Sequence, residues 1–169
     1  MTQRRATTAA TLLAFAGALA AGALPACSPD RPSSDLPGPR EVMTLLAEGN
    51  SRNVAATSDT ATDPRLKPRA YPLPPIDVAH AVVDAIDSLP RWEVIAGRDG
   101  VIWATHRARV LPLVDDVYLL LVPGHDSTVV YARSASRGTM SDLGQNRRNL
   151  GELWPALDAA VRHRSGQRP

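Results

Sequence analysis

Residues 91–107 read RWEVIAGRDGVIWATHR, two short apolar-rich runs on either side of Asp99-Gly100. Asp-Gly in that setting is a strong tight-turn signal, because both residues tolerate the positive φ that a two-residue hairpin needs. The runs 91–98 and 101–107 are therefore predicted to pair antiparallel, with Trp92, Val94 and Ala96 on one face. Downstream, DVYLLLV at 116–122 is continuously apolar, the pattern of a central strand buried on both sides. Pro123-Gly124-His125-Asp126 marks a turn. Residues 127–136 then form a last strand, with Val129, Tyr131 and Arg133 on one face and Val130, Ala132 and Ser134 on the other. Pro112 cannot donate into a ladder, so 108–114 is expected to be a bend or an edge.

Helices are predicted on both flanks of these strands. Upstream, Pro74-Pro75 precedes IDVAHAVVDAIDSLP, where Ile76, Ala79, Val82, Val83, Ile86 and Leu89 fall at three- and four-residue spacings. Proline suits the first turn, and Pro90 ends the helix. Downstream, a helix begins after Ser141 or Asp142, and Asp142 with Gln145 resembles a capping box. Its stripe is Leu143, Leu150, Leu153, Trp154, Leu157, Ala160 and Val161. Pro155 should break or kink it, and Gly151 lessens the clash of the ring with the preceding turn. The order gives an α+β fold: an antiparallel sheet of about four to five strands with two helices packed on one face.

The chain ahead of this domain has a different character. Arg4 and Arg5 are followed by an Ala-, Leu- and Gly-rich stretch from about Ala9 to Leu24, which matches a secretory signal better than a spanning helix. The stretch ends in Leu24-Pro25-Ala26-Cys27, which resembles a lipobox. That resemblance implies cleavage before Cys27 and acylation of its thiol. An ordinary signal peptide and an uncleaved N-terminal anchor are the alternatives, and all three put the domain outside the cytoplasm. Ser28 after the cysteine favours the outer membrane by resemblance to lipoprotein sorting rules. Residues 28–40, SPDRPSSDLPGPR, are too polar and proline-rich to build a core and read as a semi-stiff spacer. A short helix within EVMTLLAE, 41–48, stops at Gly49. The expected division is signal peptide 1–26, linker 27–49, domain 50–163 and disordered tail 164–169.

Composition narrows the function classes. The formal charge is +2, but removing Arg4 and Arg5 from 19 basic residues leaves 17 against 17 acidic ones. A neutral domain lacks the electrostatic footprint of a nucleic-acid binder, so no nucleic acid is expected as a partner. One cysteine cannot form an internal disulfide or a Cys-rich metal site. His80, His106, His125 and His163 are too scattered for zinc spacing and read as structural or surface residues. No metal and no cofactor is indicated.

The densest polar stretch is YARSASRGTMSDLGQNRR, 131–148. Asp115 and Asp116 open the neighbouring strand. Together with Arg133, Ser134, Ser136, Arg137, Gly138, Asp142, Gly144, Asn146 and Arg147, they resemble the signature of domain-of-unknown-function family 1499. The resemblance extends more weakly from about Asn50 to Val161. Arg52-Asn53-Val54 is similar to the family's Asn-Cys-Val type segment, without the cysteine. It implies exported or membrane-associated relatives and carries no established activity.

Two readings of this segment stand side by side. In one, Arg133 and Arg137 on a strand face join Arg147 and the helix start to hold a phosphate or carboxylate, with Ser134 and Ser136 orienting it. In the other, Asp115 and Asp116 pair with Arg133 and Arg137, and Asn146 ties the 138–145 loop to the sheet. Catalysis by Ser134 or Ser136 needs a base, and His106 across the sheet is the candidate. The sequence lacks a G-x-S-x-G elbow, a P-loop and a G-x-G-x-x-G. Basic residues Arg147, Arg148, Arg162, His163, Arg164 and Arg168 suit a solvated helix face, or contact with lipid headgroups. The expectation is a lipid-anchored periplasmic accessory domain that binds an envelope protein or a small anionic ligand. An envelope hydrolase or transferase using 133–147 is the alternative.

Overall fold

The computed structural model describes residues 35–109, 113–138 and 141–166. The leader, Cys27 and Pro112 lie outside the described residues. The elements are α1 (Pro39–Ala47), β1 (Val54–Ala56), a 3-10 turn (Pro64–Leu66), β2 (Arg69–Tyr71), α2 (Pro75–Ser88), β3 (Trp92–Arg98), β4 (Val101–Arg107), β5 (Val114–Pro123), β6 (Thr128–Ser136) and α3 (Gln145–Gly166). The sheet is antiparallel with the order β1-β6-β5-β4-β3. β2 also pairs with β6, so two short strands share the outer edge of one long strand. The predicted α+β class stands, with the long strands where the apolar runs lie.

The hairpin forms as read. Asp99 (φ 54°) and Gly100 (φ 78°) turn β3 into β4, with Arg98 opposite Val101. β5 is the middle strand, and its continuous apolar run explains why. Val117, Leu119 and Leu121 pack under α2 and α3, whereas Tyr118 and Leu120 pack against α1 on the other face.

Four local expectations change. The β3–β4 register shifts between Val94 and Ala96, so Ile95 is an extra residue in β3. Trp92 and Val94 consequently join the α2/α3 core, while Ala96 packs on the α1 side. The α2 face is rotated from the stripe read in the sequence: Val78, Ala81, Val82, Ala85 and Ile86 are buried, and Ile76 is 62% exposed. Alanines at 81 and 85 let the helix approach closely, a role that large apolar side chains do not signal. In α3, Leu150, Leu153, Trp154, Leu157 and Val161 are buried as expected, but Leu143 precedes the helix with φ 50° and is 77% exposed. The helix runs through Pro155 and on to Gly166, three residues into the expected tail, where the Arg164 Nε–H donates to Asp84 Oδ2 at 2.7 Å.

The short helix expected within 41–48 is α1, closed by Gly49 at φ 73°. Its Val42 and Leu46 cover Val101, Trp103, Tyr118 and Leu120. Burying two such side chains contributes roughly 1.5–3 kcal/mol each. The two helices predicted on one face are there, and α1 covers the opposite face.

Candidate functional site

The signature residues fall on the two faces of the sheet. On the α3 face they make a buried hydrogen-bond network. Strand alternation turns Ser134 and Ser136 toward α3, and Asp142 caps that helix so that Asn146 meets them. Asp142 Oδ1 accepts from the Gly144 N–H (2.9 Å), and Oδ2 accepts from the Asn146 N–H (2.8 Å). Gln145 does not complete a capping box: its Oε1 accepts from Arg148 at 3.1 Å and its Nε2 donates forward to Asn149 Oδ1 at 2.8 Å.

Asn146 is the hub. Its Nδ2 shares two hydrogens among three acceptors, Asn53 O (2.9 Å), Ser136 Oγ (3.0 Å) and Asp142 Oδ2 (2.7 Å), and its Oδ1 accepts from the Ser134 hydroxyl at 2.6 Å. Asn149, one turn on, donates to Asp115 Oδ2 (2.8 Å) and Ser134 Oγ (3.1 Å). The Ser136 hydroxyl donates to Asp115 Oδ1 at 2.5 Å. Asn146, Asn149 and Ser134 have no exposed surface, and Asp115 has 1%. Asn53 Nδ2 donates to Gly138 O at 3.2 Å, which binds the start of the 138–145 loop to the residues leading into β1.

His106 Nδ1 lies 3.5 Å from Asp115 Oδ2, and its ring packs tilted on Trp92 with 5.3 Å between centroids. The distance is long for a hydrogen bond, and both ring nitrogens are buried without a hydrogen-bond partner among the described residues. Burial pushes the Asp115 carboxyl up, but the His106 ring and the hydrogen bonds from Ser136 and Asn149 outweigh it. They hold the group below the usual carboxylate range.

On the α1 face, Asp116 is bound three ways. It accepts from Trp103 Nε1 (2.9 Å), Arg137 Nε (2.9 Å) and the Arg137 terminal nitrogen (2.7 Å). Arg133, on the same strand face as Arg137, instead approaches Glu48 at 3.5 Å. Asp116 and Arg133 line an open cleft of about 550 Å³ beneath α1, whose walls include Leu36, Glu41, Leu45 and Tyr118.

The three-arginine anion site therefore does not form. Arg147 sits on α3, half-exposed, 3.5 Å from Asp63, on the far side of the sheet from Arg133. Arg137 is committed to Asp116, and Asp115 pairs with neither arginine. The structural arrangement is half as read: Asp116 takes Arg137, and Asn146 ties the loop to the sheet. Asn149 is a further member that the sequence reading does not include, although its three-residue spacing from Asn146 is a readable signal. Glu48, Glu41 and Asp35 escape that reading because α1 looks like part of the linker. Among the described residues no group of three His, Cys, Asp or Glu side chains is placed to hold a metal ion, and no helix is long and apolar enough to cross a membrane.

A family model described as "Protein of unknown function (DUF1499)" matches residues 35–157. The match starts ahead of α1, earlier than the Asn50 limit read from the sequence. No curated protein matches the chain. Among solved structures, that of TTHA0849 from Thermus thermophilus is similar at 13% identity and a TM-score of 0.34. The likeness covers 60% of this chain and 97% of that one, and it is too distant to bear on function.

Proposed function

This chain belongs to the DUF1499 family of proteins of unknown function, and from that premise we propose that it is an exported, lipid-anchored accessory domain of the bacterial envelope. In this reading Cys27 carries the acyl chains, residues 28–34 are the spacer, and the domain presents the cleft beneath α1 to a small ligand or an envelope partner. The leader supports export: a positively charged start, an apolar stretch, and the only cysteine of the chain where a lipobox requires one. Two or more acyl chains give stable anchoring, at roughly 0.8 kcal/mol per buried methylene.

The observation that carries the non-catalytic reading is the consumption of the signature's hydroxyls and carboxylate inside the buried network. Ser134 donates to Asn146, Ser136 donates to Asp115, and Asp115 is held at a low pKa. A general base works best with a pKa near the operating pH, so Asp115 is a weak one. The cleft on the other face is open to solvent, and Asp116 and Arg133 of the signature line it.

Cell fractionation tests the anchor. The parent protein is expected in the membrane fraction and Cys27→Ser in the soluble envelope fraction. A variant as firmly membrane-bound as the parent would remove the lipid from the account.

A further inference from the structure

Resting on the reading of the α1 cleft as a binding surface, we propose that its ligand is a zwitterion of the amino-acid or short-peptide class, with its carboxylate on Arg133 and its ammonium toward Asp35 and Glu41. Arg133 lies in the cleft with 11% of its side chain exposed. Its Nε is buried and has no hydrogen-bond partner among the described residues. Its terminal nitrogen reaches only as near as 3.5 Å to Glu48, a carboxylate that is itself 58% exposed. A guanidinium so far withdrawn from water is costly unless its fork is matched, and a carboxylate matches it with two parallel hydrogen bonds.

The neighbouring groups do not supply that match. Asp116 also lines the cleft, but Trp103 and Arg137 occupy its oxygens. The cleft thus holds a cation whose buried Nε is unmatched and whose terminal nitrogen is only loosely paired, at 3.5 Å from Glu48.

The wall carries the opposite sign. Asp35 and Glu41 are both exposed and both line the cleft. A simple anion would be repelled by the two carboxylates that share the cleft with Arg133. A simple cation would meet Arg133 there. A molecule with both charges satisfies both ends. Leu36, Leu45 and Tyr118 add apolar side chains to the same lining. The volume, about 550 Å³, falls within the range of small-ligand sites, roughly 300–1,000 Å³.

The test follows the Arg133 Nε–H resonance by ¹H–¹⁵N spectroscopy of the full chain in detergent. The probes are L-alanyl-L-alanine, its C-terminal amide, its N-acetyl derivative, and free alanine. The dipeptide or free alanine should shift the resonance, and whichever binds tighter separates a peptide terminus from an amino acid. The amide and the N-acetyl form should bind about tenfold more weakly or worse, each having lost one charge-assisted contact. Arg133→Met should abolish dipeptide shifts elsewhere in the cleft while melting no lower than the parent, because it removes an unsatisfied donor.

Equal binding of the amide would overturn the carboxylate assignment. Equal binding of the N-acetyl form would overturn the zwitterion but leave the cleft as an anion-binding surface. No shift with any probe would overturn the ligand class and the cleft together, whereas the Cys27 anchor is decided separately by fractionation.

Discussion

Asp115 and Asp116 are adjacent in the chain, yet the two carboxylates serve different faces of the sheet. Strand alternation makes their separation legible in the sequence, and it excludes them as an acid/base pair. Their partners are not legible there. His106 reaches Asp115 only through the β4–β5 register, and Asn149 only through the docking of α3. The low pKa of Asp115 has a consequence for pH. Its folded value lies below the unfolded value of about 3.9, so the unfolded chain takes up the proton first. The stabilisation is fully present above about pH 4 and is lost as pH falls through the folded value. Asp115→Asn should therefore be less stable than the parent at neutral pH, and the gap should close in acid. Urea unfolding of both proteins between neutral and strongly acidic pH checks this, and a gap of constant size would refute it.

Elements are readable where local chemistry fixes them. Asp99-Gly100 gives the hairpin because both residues adopt positive φ, and the unbroken apolar run gives the middle strand. The bulge at Ile95 is not readable, since an extra residue leaves no mark on a pattern of alternating side chains. β1 and β2 are three residues each, too short to show a period, and they exist because β6 offers them an edge. α2 is legible as a helix but not in its rotation, because its contact face is built partly from alanines. The hairpin yields a sharp expectation. A Cβ on residue 100 would stand 3.1 Å from the Leu121 carbonyl oxygen, at φ +78°. Gly100→Ala should lower stability by about 1–2 kcal/mol through left-handed strain alone, and more if the contact cannot relax. Thermal unfolding at the parent's temperature would show the turn to be otherwise.

At the scale of the whole molecule, the sheet separates two environments. On the α3 face Ser134, Asn146, Asn149 and Asp115 are buried, and the polar signature there joins the approach to β1, β6, β5 and α3 into one unit. The α1 face is open and holds the cleft. The α+β class and the signature are legible in the sequence, whereas α1 is legible as a short helix but is assigned to the linker and not to the domain. Residues 28–40 are so rich in proline and serine that they obscure the two buried apolar side chains just beyond. The cleft is hidden for the same reason, since its walls come from α1 and from residues 35–37. So is the carboxylate that approaches Arg133, because Glu48 lies just past the end of α1. On this view Asn146 and its neighbours hold the fold together. Equilibrium urea unfolding of Asn146→Ala puts that to trial. The midpoint should fall by the equivalent of about 2–4 kcal/mol at an unchanged slope, because several buried partners lose their hydrogen bonds at once. A variant that unfolds at the parent's midpoint would contradict it.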